Sequence, residues 1–258
     1  MGVDPETSDV PGGWPVGVRT TRRRGRMSDT KRAALTDLGP RFHLSHTSPW
    51  TPETLDGAFG APARWRMLDI GCGTGEATVA WAAAHPDAQV VAVELHRPGV
   101  AQLLTDLDQR ALANVRVCEA DAVVLLDDVV GAGCFDEVRI LFPDPWPKRR
   151  HVSRRLVDAT LVRRLADLVP VGGRLAIATD WLPYADQVRA AIAAEPRWEP
   201  QVDVVDDPPP ADEEPDGEPV GPRWRSARPE RPETAYERRG RLAERTITDL
   251  VATRVAAD

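Results

Sequence analysis

Between Arg66 and Ala84 the chain reads RMLDIGCGTGEATVAWAAA: a short apolar run, three glycines at alternate positions, then a helical pattern. No other stretch limits the fold as much. The apolar run suits a buried strand, while Val79, Ala80 and Ala83 fall on one helical face. Gly71, Gly73 and Gly75 let the intervening backbone take left-handed φ and come close to another group. Strand, glycine loop and helix in succession form the opening unit of an α/β sheet.

The unit recurs down the chain. Gln89 to Glu94 (QVVAVE) and Asn114 to Glu119 are further apolar runs, the second with Asp121 just beyond it. Phe135 to Phe142 is a fourth, and RLAIAT, introduced by Gly172-Gly173 and ending at Asp180, is a fifth. A basic helix is expected from Ser153 to Leu168, and Ile247 to Val255 is expected as the last strand, closing the sheet edge. This alternation predicts a doubly wound, mainly parallel sheet, whose ligands bind at the carboxyl ends of the strands. Asp69, Glu94, Asp121, Asp144 and Asp180 all lie at or just past such ends. Asp121 taken alone reads equally well as a helix cap.

The glycines form G-x-G-x-G, one residue short of the dinucleotide fingerprint, which disfavours an NAD-linked oxidoreductase. Glu94, ending the second strand, is placed to accept hydrogen bonds from both hydroxyls of a ribose. A nucleoside-bearing cofactor follows. After the fourth strand comes LFPDPWPKRRH, where Pro143 and Pro145 fix the backbone on either side of Asp144 and remove two local donors. The carboxylate is thereby left available to a ligand, with Trp146 and then Lys148, Arg149 and Arg150 behind it. Core packing is the reading preferred for Trp146 and Trp181, with stacking on a base as the alternative.

Composition bounds the rest. The chain of 258 residues is long enough for one large domain and has no run of eighteen apolar residues, so no membrane segment is expected. Its start lacks the charged-then-apolar order of an export signal, which points to the cytoplasm. Cys72, Cys118 and Cys134 are widely spaced and form no C-x-x-C pair, so neither a disulfide nor a metal site is expected. The net charge of -7 conceals segregation: Arg19 to Arg26 (RTTRRRGR) is a basic arm, whereas a proline-rich stretch of about 205–222 is strongly acidic. Polyanions are bound through local lysines and arginines, so basic patches on this chain suffice for one. Residues 1–33 are expected to be a disordered N-terminus carrying the arm, 34–258 the folded domain, and about 205–222 a mobile insert. A short helix from Ser28 to Leu38, stopped by Gly39-Pro40, would join arm to body.

LDIGCGTGEA followed by VVAVEL resembles the class I methyltransferases that bind S-adenosylmethionine. The resemblance implies a Rossmann-like, seven-stranded sheet, with cofactor contacts from Asp69, Gly71, Gly73, Gly75, Glu94, Asp121 and Asp144. LFPDPWPKRRHVSRRL, ATDWLPYA and RPETAYERRG together are similar to the tRNA (guanine-N7)-methyltransferase family, which modifies a guanine of the tRNA variable loop. This second likeness runs from about Arg19 to the C-terminus. It implies that tRNA is the partner, that Asp144 is the catalytic carboxylate, and that Lys148, Asp180, Thr234, Ala235, Tyr236 and Glu237 line the substrate site. Ala235 stands where the family commonly has lysine, so Arg238, Arg239 or Arg241 would have to supply that phosphate contact. Neither membrane nor DNA is expected as a partner, and self-association is left open. The alternatives are a methyltransferase acting on another RNA or amine acceptor, and a non-catalytic RNA-binding protein on the same fold.

Overall fold

The computed structural model describes residues 27–202, 228 and 231–256. The basic arm and the acidic insert lie outside the described residues. Helices α1 (Asp29–Phe42) and α2 (Pro52–Phe59) precede strand β1 (Arg66–Ile70). There follow α3 (Glu76–Ala84), β2 (Gln89–Val93), α4 (Arg97–Gln109), β3 (Val115–Cys118), α5 (Ala122–Asp128) and β4 (Glu137–Leu141). The chain closes with α6 (Ala159–Leu168), β5 (Arg174–Thr179), α7 (Leu182–Ala193), β6 (Trp198–Pro200), α8 (Ala235–Leu242) and β7 (Thr248–Arg254).

The seven strands form one sheet in the order β3-β2-β1-β4-β5-β7-β6. From β1 the chain winds outward through β2 to β3, then returns to β4 on the other side of β1, with Met67 paired to Glu137 and to Val90. The order thus reverses between β1 and β4, where loops splay apart and leave a crevice. Strands β1 and β2 are buried along their whole length, which explains why they read as continuous apolar runs and not as alternating ones. One face packs on α1, α3 and α4, where Phe42, Met67, Val79, Leu103 and Leu107 interlock. The other packs on α5, α6 and α7 around Leu125, Leu165, Tyr184 and Ile192. Each fully buried side chain of this kind stabilises by about 1.5–3 kcal/mol.

Three sequence expectations change. The first helix runs through Gly39-Pro40 to Phe42, because Phe42 is almost wholly buried with Met67, Val79 and Leu103 and that packing outweighs the lost backbone bond at Pro40. The basic helix expected from Ser153 is two pieces: a 3-10 turn over Arg149–Arg154, then α6, whose N-cap Asp158 accepts from the Leu161 N–H at 2.9 Å. The last strand is not at the edge. It lies between β5 and β6, antiparallel to both, since α8 sits at the carboxyl edge and β7 must start there, with Thr248 opposite Thr179. The edge is β6, three residues long and ending in Pro200, too short to show a period and tolerant of proline because one side is unpaired. No described helix is long and apolar enough to cross a membrane.

Candidate active site at the switch point

The glycine loop leaves β1 hydrogen-bonded to the end of β2, with the Gly71 N–H donating to the Val93 carbonyl at 2.8 Å. Gly71, Gly73 and Gly75 have φ of 72°, 61° and 80°, so all three positions need the freedom that glycine has. At Gly75 a Cβ would also stand 2.4 Å from Leu103 Cδ1, so this residue sets how closely the loop sits on α4. At Gly71 and Gly73 a Cβ would meet nothing within 4 Å; there the bare backbone faces open space.

The acids at the strand ends differ in what they hold. Asp69 is buried, accepts from the Thr78 Oγ1 hydroxyl at 2.5 Å and thereby ties β1 to α3; burial raises its pKa, against Thr78 and Arg139. Glu94 accepts the Gly73 N–H at 2.8 Å through Oε2 and the Leu95 and His96 N–H groups at 2.7 Å through Oε1. It therefore stands beside the glycine loop at the start of α4. Asp121 N-caps α5, accepting the Val123 N–H at 2.9 Å. The bare glycine backbone thus faces open space with the Glu94 carboxylate one strand away, a setting with room for a nucleoside.

Beyond β4 the backbone is strained. Phe142 and Trp146 both have positive φ, 52° and 42°, a conformation that costs side-chain-bearing residues about 1–3 kcal/mol each. The sequence predicted stiffness from the prolines, but not this twist. What holds it is Arg155, buried and turned inward, whose Nε donates to the Pro145 carbonyl at 2.8 Å and whose Nη1 donates to Gln187 Oε1 at 2.8 Å. Arg155 is thus a scaffold residue rather than part of an exposed basic face. Asp144, at the tip, is exposed and has no hydrogen-bond or ion-pair partner among the described residues. Trp181 packs against the core, but Trp146 is only half-buried, edge-on to His151 at 5.7 Å and under the Arg154 guanidinium at 5.1 Å. Lys148, Arg149, Arg150 and Arg154 are exposed around it. The pKa of His151 is lowered by desolvation and then by Arg154, Arg150 and Lys148, so the local field is positive.

The third wall comes from far along the chain. Thr234 N-caps α8, accepting the Glu237 N–H at 3.2 Å. Thr234, Ala235 and Tyr236 line one cavity with Asp69, Gly71, Cys72, Thr74, Leu141 and Phe142. Glycine loop, post-β4 loop and α8 therefore meet, while Glu94 and Asp121 lie further along the same sheet edge and Asp144 and Lys148 further out on the loop. Asp180, at the end of β5, accepts from Arg245 Nη1 at 2.6 Å. Helix α8 crosses it so closely that a Cβ on Gly240 would be 3.2 Å from its Oδ2.

Glu237 does not face this cavity. Its side chain is fully buried and ion-paired with Arg228, with Arg231 at 2.6 Å and with Arg241 at 2.7 Å. Burial alone would raise its pKa; hydrogen bonds from the three guanidinium groups overcome this and hold it at about 2. Arg231 also donates to both oxygens of Asp249, at 2.8 and 3.1 Å, and its guanidinium lies 5.5 Å from the centre of the strained Phe142 ring. As the structure has it, Glu237 positions α8, and its proposed contact with substrate becomes indirect. Sequence reasoning missed Arg155, Arg231 and Glu76 as positioning residues. Arg231 lies inside the RPETAYERRG motif and Glu76 directly follows the last glycine, so both were within reach of a reading that asked what holds each motif.

No thiol is poised to react: burial pushes Cys118 up to about 12 and Cys134 up to about 11, and Cys72 is raised by burial and by Asp69 and Glu94 beside it.

Comparison with known proteins agrees with this architecture. Residues 63–216 match a family model described as "Putative methyltransferase". The tRNA (guanine-N(7)-)-methyltransferase of Alkalilimnicola ehrlichii is 41% identical over 229 residues, 89% of each chain. The proteins of that name from Polaromonas sp. and Thiobacillus denitrificans are 37% and 43% identical, over 97% and 69% of this chain and 95% and 77% of theirs. Among solved structures, the aminoglycoside resistance methyltransferase NpmB1 superposes with a TM-score of 0.51 at 19% identity, covering 83% of this chain and 99% of that one, a likeness of fold. With the glycine loop, the end of β4 and the start of α8 lining one cavity, and relatives matched along most of its length, the chain belongs to the tRNA (guanine-N(7)-)-methyltransferase family.

Proposed function

We propose that this chain transfers a methyl group from S-adenosylmethionine to N7 of a guanine in tRNA, and that the guanine lies in the variable loop. The observation that carries the reading is the shared cavity: the glycine cradle and the start of α8 line the same space, so a nucleoside-bearing donor and a base held by the later motifs are brought within reach. The bound donor supplies an electrophilic methyl. Guanine N7 presents a lone pair and no proton, so transfer needs position more than a base. A site whose one thiol, Cys72, is raised in pKa by burial, with an exposed carboxylate on a braced loop nearby, suits that demand.

In this reading Gly71, Gly73 and Gly75 admit the donor, Glu94 binds its ribose, Asp121 lies near its base, and Asp69 braces the loop. Asp144 accepts the guanine N1–H and exocyclic amine as a pair and offsets the positive charge that grows on the ring. Asp180, Thr234, Ala235 and Tyr236 complete the base pocket, with Glu237 fixing α8 behind them. Lys148, Arg149, Arg150 and Arg154 face the phosphates, joined by the arm at Arg19 to Arg26. Three unpaired, reduced cysteines suit a cytoplasmic location.

The test is transfer from labelled donor to unmodified tRNA, followed by nuclease digestion and mass spectrometry. 7-Methylguanine in the variable loop is the expected product; label on an exocyclic amine would refute the reading.

A further inference from the structure

Glu76 lies within LDIGCGTGEA, yet no role falls to it in the reading above. It is the first residue of α3, immediately after Gly75, so its backbone is continuous with the glycine loop. Its carboxylate reaches 159 residues along the chain: Oε2 accepts the Ala235 N–H and Oε1 accepts from Arg238 Nη2, each at 2.6 Å. The Ala235 N–H belongs to the first turn of α8 and has no partner within that helix. A carboxylate there also complements the positive end of the helix dipole, and Arg238, three residues on, projects from the same side. One side chain thus joins the loop that cradles the donor to the helix that walls the base pocket.

We infer that Glu76 is a positioning residue that couples the two ligand sites, so that filling the glycine loop fixes α8 and each ligand tightens the other. The inference rests on the functional reading above. Its physical basis is that loop and helix share an anchor and line one cavity: ordering either element through a ligand removes part of the entropic cost of ordering the other. Coupling of this kind is reciprocal and commonly reaches 5-fold or more. Glu237 holds α8 to β7 from within, whereas Glu76 holds it to the glycine loop, so of the two it is Glu76 that is placed to transmit between sites.

The experiment measures the dissociation constant of S-adenosylhomocysteine by calorimetry, alone and with saturating unmodified tRNA, in wild type, Glu76→Ala, Glu76→Gln and Arg238→Ala. In wild type, tRNA is expected to tighten binding by about 5-fold or more, and S-adenosylhomocysteine to tighten tRNA by the same factor. Both alanine variants should bring that ratio toward one. Glu76→Gln, which keeps an oxygen for the Ala235 N–H and loses the ion pair, should fall between. A merely structural Glu76 would lower the melting temperature or both affinities while leaving the ratio in place. A wild-type ratio of one, or alanine variants that retain the wild-type ratio, overturns the inference. Failure of the functional reading is separately visible, as wild type that leaves guanine N7 unmethylated.

Discussion

Two carboxylates near the crevice, Asp144 and Glu237, illustrate what environment does to one chemical group. Asp144 is exposed on a braced loop and without a described partner, which leaves it free to bind. Replacing it with asparagine keeps the shape and removes the charge, so kcat for tRNA methylation should fall by about 100-fold, near the cost of losing one transition-state contact. Near-normal turnover at saturating donor and tRNA would remove Asp144 from the chemistry. Glu237 is held at about 2, below its ordinary 4.5, so its ionised form is favoured by folding. That stabilisation, on the order of 3 kcal/mol, is complete above pH 4.5 and is lost as pH falls toward 2. In thermal melts the margin of wild type over Glu237→Gln should be constant near neutrality and narrow between pH 4.5 and 2; a margin independent of pH would contradict the assignment.

At the scale of elements, α8 matters because it is placed by others. Arg231 reaches it through Glu237, reaches β7 through Asp249 and lies against Phe142. Arg231→Met would take the guanidinium from the buried Asp249 and one of three from Glu237, a loss of about 3–5 kcal/mol, and denaturant unfolding should show it. Gly240 allows α8 to lie on Asp180, where an added methyl would come within 3.0 Å of Ile247 Cδ1 and 3.1 Å of Asp180 Cβ. Gly240→Ala should therefore destabilise by about 1–3 kcal/mol and lower kcat/KM for tRNA. Unaltered kinetics with intact stability would mean that α8 has slack over Asp180. The strand and glycine-loop elements were legible in the sequence because each carries its own local period. Helix α8 was legible as a family motif and through the i,i+4 spacing of Glu237 and Arg241, a pair that the structure forms at 2.7 Å; that Arg228 and Arg231 from the preceding segment also close on Glu237 and bury it was not.

Over the whole molecule, charge is divided between a net -7 and a basic surface at Lys148, Arg149, Arg150 and Arg154. Binding of tRNA should weaken steeply with salt while donor binding hardly changes, because only the former displaces counterions. Alanine at any one of these four positions should lower the slope of log affinity against log salt by about one. Equal salt dependence for both ligands would exclude this surface as the tRNA face.

The sequence by itself determined the layered α/β fold, the cradle and the row of acids, because strand ends, glycines and turns are local signals that survive without tertiary context. It also determined that Asp144 sits on a stiff loop. Only the tertiary structure decided which acids are held by partners within the protein. The same carboxylate chemistry makes Asp69 a brace and Glu237 an anchor, while Asp144 stays open, and the difference lies in Thr78, Arg231 and the lack of any described partner for Asp144. Thr78 reaches Asp69 from the helix beyond the glycine loop and Arg231 reaches Glu237 from outside α8, while the partners of Glu76 lie 159 and 162 residues away, separations at which no periodicity carries information.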